Sequence, residues 1–302
     1  KVEMMGGFPW DLHYRGTTHR LWMVPVFLFV KGDGVEHDKL CGHYVPKNRG
    51  TKNICRYCCI ASNECDQPYL NPPPHMKTMA MIADLVKQGD NYTLQKLSQH
   101  AIWNCFYELR FGFHNGANTH GACPMEILHW ILLGMYKYSR ENFFAQTGVE
   151  SILSENLNVV AVSIGILLKR QSDRDMPRTK YRNGIKHGQI MAQEMTGLIL
   201  VLLTVLRSSK GRNLIMRTKH GNQKTFFPNE QSIQDWITLL EMQLKFEAWL
   251  NKDEMKVKNV KRVETKVKEL MSMTKQIAKG TGNAMGFKTM NYHGTIHVPQ
   301  DT

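Results

Sequence analysis

Five of the seven cysteines of this chain lie within one short stretch, residues 41–65. Two of them, Cys55 and Cys58, have two residues between them, a spacing typical of one half of a tetrahedral zinc site. The first residues lack the hydrophobic segment of a signal peptide, and clustered thiols in such a chain favour metal binding or reduced thiols over disulfides. The stretch therefore predicts a metal-binding loop whose other ligands come from elsewhere in the chain.

The second pair of ligands is predicted to be His120 and Cys123, which repeat the two-residue gap inside a glycine-rich loop. His129, on the helix that follows, is the chief competitor. Further competitors lie close to the cysteine pair: Cys41, His43, Cys59 and Cys65. The alternative without metal, buried thiols and capping histidines, stays open at this point.

The pattern of apolar residues predicts an α+β chain that is mostly α. The run LWMVPVFLFV (21–30) is rich in β-branched and aromatic residues and predicts a buried strand. No apolar run approaches the roughly 18 residues of a membrane span, so no membrane partner is expected. Apolar residues at helical spacing predict helices within the segments 76–110, 125–144, 150–170, 186–208, 230–251 and 253–279.

Two carboxylates are candidates for catalysis. Asp33 follows the predicted strand in a Gly-Asp-Gly turn, where a rigid carboxylate can bind the metal ions of phosphoryl transfer, although aspartate is also an ordinary turn residue. Glu194 is the only acidic residue between Asp175 and Glu230, a window that holds ten cations. On a helix, Glu194 would share an apolar face, so its burial requires either a metal ion or a salt bridge.

The charge of the chain predicts a polyanionic partner. With 39 Lys and Arg against 26 Asp and Glu, the formal net charge is +13 and the pI is near 9.4. This favours nucleic acid over an anionic membrane surface. The basic last helix (253–279) is interpreted as a solvated face, with a DNA-phosphate surface as the alternative. The predicted DNA-binding residues surround Glu194 in sequence: Lys180, Arg182, Lys186, Arg207, Lys210 and Arg212.

Four segments in fixed order resemble a known group of proteins: VPVFLFVKGDGVEHDKLCG, GANTHGACPMEILHWILLGMYKY, IMAQEMTGLILVLLTVLRS and MNYHGTIHVPQD. They resemble the C-terminal half of transposase-like proteins of the Plavaka, KDZ and CACTA type, over residues 20–300. The resemblance implies the edge of an RNase H-like core that carries a large α-helical insertion with a CxxC metal loop. It also implies an Asp-Asp-Glu/Asp catalytic triad.

Matched position by position, the resemblance assigns roles to single residues. Asp33 corresponds to the second catalytic aspartate and Glu194 to the final catalytic acid, while Cys55 and Cys58 match the CxxC pair. The first catalytic aspartate would precede this sequence, so the chain is expected to be a fragment. Two further matches carry no assigned role, an acid-x-x-His segment at Glu126 and His129 and a His-x3-His segment at His293 and His297.

The implied activity is DNA strand cleavage and transfer with Mg²⁺ or Mn²⁺ at the carboxylates and Zn²⁺ at the Cys/His site. The implied location is the nucleus, and a homo-oligomer is left open. The expected segments are a partial core (1–40), a Cys-rich loop with helical insertion (41–185), and the third acid with basic helices (186–302). The alternative is a non-catalytic, zinc-stabilised DNA-binding or assembly module derived from a transposon.

Overall fold

The computed structural model describes residues 7–24, 30–44, 51–107, 120–147, 192–215, 229–252, 256–278 and 286–300. The chain forms two compact units. The first comprises residues 1–52 and 76–124, and the second comprises 53–75 and 125–302. Both units are discontinuous in sequence, whereas the three predicted segments are continuous.

The first unit begins with a β-hairpin of strands β1 (Phe8–Tyr14) and β2 (Thr17–Met23). The strands pair antiparallel, with Phe8 opposite Met23 and Tyr14 opposite Thr17. Arg15 and Gly16 form the connection at φ 49° and 77°, the left-handed pair that two-residue hairpin turns need. Every strand residue is exposed, so residues 21–23 of the predicted buried strand are in a strand but not buried; residues 25–29 lie outside the described residues.

Three short helices complete the described part of the first unit: α1 (Gly34–Leu40), α2 (Met79–Gln88) and α3 (Asn91–Lys96). Each begins at a side-chain cap, because Asp33, Thr78 and Asp90 accept hydrogen bonds from the backbone three residues later. Of the two helical stretches predicted within 76–110, the first ends at Gly89, which adopts the left-handed conformation, and the second is helical only over Asn91–Lys96.

The second unit holds the remaining helices: α4 (Leu128–Met135, a π-helix), α5 (Tyr136–Thr147), α6 (Ala192–Arg207), α7 (Ser209–Ile215), α8 (Glu230–Leu250), α9 (Val257–Ile277) and α10 (Met290–Gly294). A 3₁₀ turn, Val298–Gln300, follows α10. Residues 53–75 of this unit form an irregular loop with a buried first half.

Helix α6 lies at the centre of the second unit. Its residues Leu198, Val201, Leu202 and Val205 are fully buried, as expected for a helix that is apolar around most of its circumference. Helices α4, α5, α7 and α8 pack against it, and α9 packs against α8. The aromatic pair Phe143–Trp236, edge to face at 5.2 Å, joins α5 to α8.

The mostly helical α+β class is confirmed. The described residues contain one sheet, the two-stranded hairpin; an RNase H-like core remains a prediction. Among the described helices, none is both long and apolar enough to cross a membrane.

Candidate metal centre

Four side chains of the second unit bring their ligand atoms together: Cys55, Cys58, His293 and His297. These atoms all lie within 4.8 Å of one another. The Sγ of Cys55 is 3.4 Å from the Nε2 of His297, and the Sγ of Cys58 is 3.2 Å from the Nε2 of His293. We refer to these four residues as the Cys2His2 group.

The spacing of the Cys2His2 group suits a zinc ion. With Zn–S bonds of about 2.3 Å and Zn–N bonds of about 2.0–2.1 Å at tetrahedral angles, each sulfur would lie about 3.6 Å from each nitrogen. The two measured S–N distances, 3.4 and 3.2 Å, are slightly shorter. Two thiolates and two neutral imidazoles would also cancel the charge of Zn²⁺, which matters because the group is buried.

The cysteine half of the group lies in the loop 53–75. The backbone N–H of Tyr57 donates to the Sγ of Cys55 over 3.3 Å, which holds the turn between the two thiols. The pKa of the Cys55 thiol is lowered well below its usual value. Burial opposes this shift, but a hydrogen bond from Cys58 and the charges of His297 and His293 outweigh it. A lowered pKa favours the Cys55 thiolate in the metal-free group, where the neighbouring imidazoles carry charge; with zinc bound the imidazoles would be neutral.

The histidine half lies at the end of α10. His293 and His297 are four residues apart, and the turn hydrogen bonds continue past the helix, from His297 N–H to the Gly294 carbonyl. Both rings therefore lie on one side of this segment. The Nδ1–H of His293 donates to the carbonyl of Cys65 over 3.2 Å, which leaves Nε2 as the metal-binding nitrogen. The ring of His297 stacks on Tyr57, with centroids 5.3 Å apart.

Helix α10 is held in place by contacts with three other segments of the second unit. Its cap, Thr289, hydrogen-bonds to the hydroxyl of Tyr138 over 2.6 Å. The hydroxyl of Tyr292 donates to the carbonyl of Met271 on α9. The Trp130 ring lies against Gly294, so closely that a Cβ at that glycine would meet three ring carbons at 3.0 Å or less. These contacts fix the position of both histidines.

The Cys2His2 group has the character of a structural metal site. Cys55 and Cys58 are fully buried, and His293 and His297 are 2% and 5% exposed. Catalytic zinc keeps a coordination position open for water or substrate, whereas structural zinc is closed by four protein ligands. Four buried protein ligands therefore indicate a role in holding the loop 53–75 to the C-terminal segment.

The predicted second half of the zinc site, His120 and Cys123, stays a prediction, but the structure brings a different pair of side chains to the two cysteines. His120 and Cys123 belong to the first unit, where both are buried, and neither is a member of the Cys2His2 group. The cysteine pair finds two histidines within its own unit, and a tetrahedral site has no place for further ligands. The sequence signal for His293 and His297 is their four-residue spacing, which puts two rings on one side of a helix.

The competing ligands are engaged elsewhere. The Nδ1 of His129 and its backbone N–H both hydrogen-bond to the carboxylate of Glu126, two residues before α4 begins. The thiol of Cys65 donates to the carbonyl of Ser62 over 3.1 Å. Cys41, His43 and Cys59 also lie outside the Cys2His2 group.

The two predicted catalytic carboxylates lie in different units. Asp33 is exposed and caps α1, with Oδ1 accepting from the backbone N–H of Glu36 over 2.8 Å. Glu194 is only 8% exposed and lies in the first turn of α6, where the helix dipole favours a negative charge. Each position thus has a local structural explanation, and the assignment of both as catalytic remains a prediction.

Of the predicted DNA-binding cations, Lys180, Arg182 and Lys186 lie outside the described residues, as does the side chain of Lys210. Arg207 forms an ion pair with Glu241 of α8. Arg212 forms one with Glu230 at 2.7 Å. These pairs link α6 and α7 to α8, so both arginines have a role in packing.

Comparisons with family models, with curated proteins and with solved structures find no match for this chain.

Proposed function

We propose that this chain is a zinc-stabilised DNA-binding module of a transposase-like protein. The observation that supports it most is the closed and buried Cys2His2 group, because four protein ligands suit a metal that holds a fold together. The net charge of +13 supports a polyanionic partner. The resemblance to transposase-like proteins supports DNA as the polyanion and the nucleus as the location within this proposal.

Helix α9, which lies within the described residues, presents a basic surface that suits DNA phosphates. It carries six cations against two acids, Glu264 and Glu269. Lys261 and Arg262 are exposed, Lys268 is half-buried, and none of the three forms an ion pair within the described part of the chain. Cations without a protein partner can exchange their counterions for phosphates, which gives affinity without sequence preference.

Removing these three charges is expected to weaken DNA binding and its dependence on salt. Each lost phosphate contact lowers the slope of log K against log salt by about 0.9, so Lys261→Ala/Arg262→Ala/Lys268→Ala should lower it by about 2 to 3. The measurement is fluorescence anisotropy with a labelled 20-bp duplex at several salt concentrations. The matched control, Lys245→Ala/Lys266→Ala, removes lysines that are paired with Glu241 and Glu269. An unchanged slope in the triple variant would contradict the assignment of this face.

A second candidate function is metal-dependent strand cleavage by the whole protein. It is favoured by Glu194, a carboxylate that is nearly buried and is the only acidic residue of a mostly apolar helix. By the resemblance, Glu194 and Asp33 each correspond to an acid that binds Mg²⁺ or Mn²⁺, hard ions that prefer carboxylate oxygens. Such ions activate a water or a DNA 3′-hydroxyl and stabilise the leaving oxygen.

The test of cleavage uses substitutions that keep the local structure. Asparagine caps helices as well as aspartate does, so Asp33→Asn preserves the start of α1 while it removes the charge that binds metal. We expect Asp33→Asn and Glu194→Gln to abolish Mg²⁺-dependent nicking of supercoiled plasmid by the full-length protein. Asp90→Asn, at the equivalent cap of α3, is the matched control and should nick normally. Normal nicking by both Asp33→Asn and Glu194→Gln would rule out the catalytic assignment.

A further inference from the structure

The hairpin presents a continuous apolar face that no described element covers. Cross-strand pairing places six apolar side chains on the same face: Phe8, Trp10, Leu12 and Tyr14 from β1, and Leu21 and Met23 from β2. Each of them is between 41% and 56% exposed. We call these six residues the aromatic face. Contiguous exposed apolar patches on soluble proteins mark interaction sites.

The spacing of the aromatic face suits flat ligands. Trp10 has Phe8 on one side, with ring centroids 6.4 Å apart, and Tyr14 lies four residues further along the same strand. Phe8 meets Trp10 edge to face at 71° and supports its ring, and Tyr14 is about 14 Å further along the strand, so a base stacked on Trp10 does not meet the Tyr14 ring. Every nucleobase has a π face, which is why aromatic platforms bind single strands of any sequence.

The charges of the hairpin suit an anionic ligand. The aromatic face contains no acidic residue. The guanidinium of Arg15, in the turn, lies over the ring of Tyr14 at 5.2 Å, and His19 shares the face opposite Leu12. The one acid of the hairpin, Asp11, lies on the other face, opposite Arg20. Bases on the rings would therefore leave their phosphates near cations.

We propose that the aromatic face binds single-stranded DNA by stacking a base on Trp10, with Arg15 beside the phosphates. This inference rests on the proposed function and adds a second mode to it. Helix α9 contacts the backbone of a duplex, whereas the hairpin binds bases that are unpaired. A duplex cannot use the hairpin in this way, because its bases are stacked on one another.

The hairpin is tested in the full chain with labelled dT12 and a 12-bp duplex as probes. Stacking of one base contributes about 1–3 kcal/mol, so Trp10→Ala should weaken dT12 binding roughly 5- to 150-fold while duplex affinity stays within about twofold. Binding of dT12 should also quench tryptophan fluorescence in the wild type. Trp22→Ala is the matched control, since Trp22 is 64% exposed but lies on the opposite face; it should retain dT12 binding.

Each contrary outcome has a distinct meaning. If the wild type binds the duplex, and the wild type and Trp10→Ala bind dT12 equally well, the hairpin inference alone is wrong. A wild-type chain that binds neither probe overturns the proposed function as well. If light scattering shows a dimer that Trp10→Ala converts to a monomer, a second copy covers the aromatic face and the inference is wrong.

Discussion

Replacing Cys58 by serine is expected to abolish stoichiometric zinc binding and cooperative folding of the second unit. The substitution removes a fully buried ligand whose Sγ lies 3.2 Å from His293. Structural zinc contributes an apparent 10–16 kcal/mol in zinc-finger peptides, which equals or exceeds the 5–15 kcal/mol of total stability typical of a domain. The measurements are metal content by mass spectrometry and thermal unfolding followed by near-ultraviolet circular dichroism, which reports buried Trp130 and Trp236.

Three further variants make the zinc experiment specific. Cys105→Ser changes an exposed cysteine outside the Cys2His2 group and should retain one zinc per chain. His297→Gln should lose the zinc, and His120→Gln should retain it. The reverse result, zinc lost with His120→Gln and kept with His297→Gln, would reinstate the ligand pair predicted from sequence. Chelation of the wild type should reproduce the Cys58→Ser phenotype, and added Zn²⁺ should reverse it.

Replacing Gly294 by alanine is expected to destabilise the second unit by about 1–3 kcal/mol, the usual cost of overpacking a core. The added methyl group would press on the ring of Trp130, which is buried and has little room to move. The sign of the change in unfolding free energy identifies the cause, because replacing glycine by alanine within a helix otherwise stabilises the protein by up to about 1 kcal/mol. Since His293 precedes Gly294, zinc affinity should also fall, which a competition titration with a chromogenic chelator measures.

A double-mutant cycle shows whether the Trp130 ring is the cause. In a Trp130→Leu background the obstructing ring is gone, so the further change Gly294→Ala should cost much less than it does in the wild type. Additive effects in the two backgrounds would mean that the alanine acts through another contact. A stabilising Gly294→Ala in the wild-type background would refute the close packing of α10 on α4.

The long helices could be predicted from sequence because their apolar residues recur at a regular spacing. The predicted segments 230–251 and 253–279 contain Glu230–Leu250 and Val257–Ile277, with ends that differ by a few residues. Half of the metal site was predictable for a similar reason. Cys55 and Cys58 are near neighbours in sequence, so their spacing alone encodes the local geometry.

The histidine half of the Cys2His2 group could not be predicted from sequence, because sequence alone does not show which distant segments meet. His120 and Cys123 imitate the spacing of a second ligand pair, but helix packing brings α10 to the cysteine loop instead. The hairpin shows a related difficulty. The apolar character of residues 21–23 suggested burial, whereas the turn Arg15-Gly16 pairs β2 with β1 on an exposed ribbon. Apolar composition indicates a strand but does not indicate what covers it.

The distance in sequence between the two halves of the Cys2His2 group has a consequence for biosynthesis. Cys55 and His297 are 242 residues apart, so the first thiol is made long before the last histidine. At about 5–20 residues per second, ribosomal synthesis separates them by roughly 12–50 seconds. During this interval the cysteine pair has no histidine partners and is open to oxidation and to softer metals. The second unit can therefore complete its metal centre only once nearly all of this sequence has been translated.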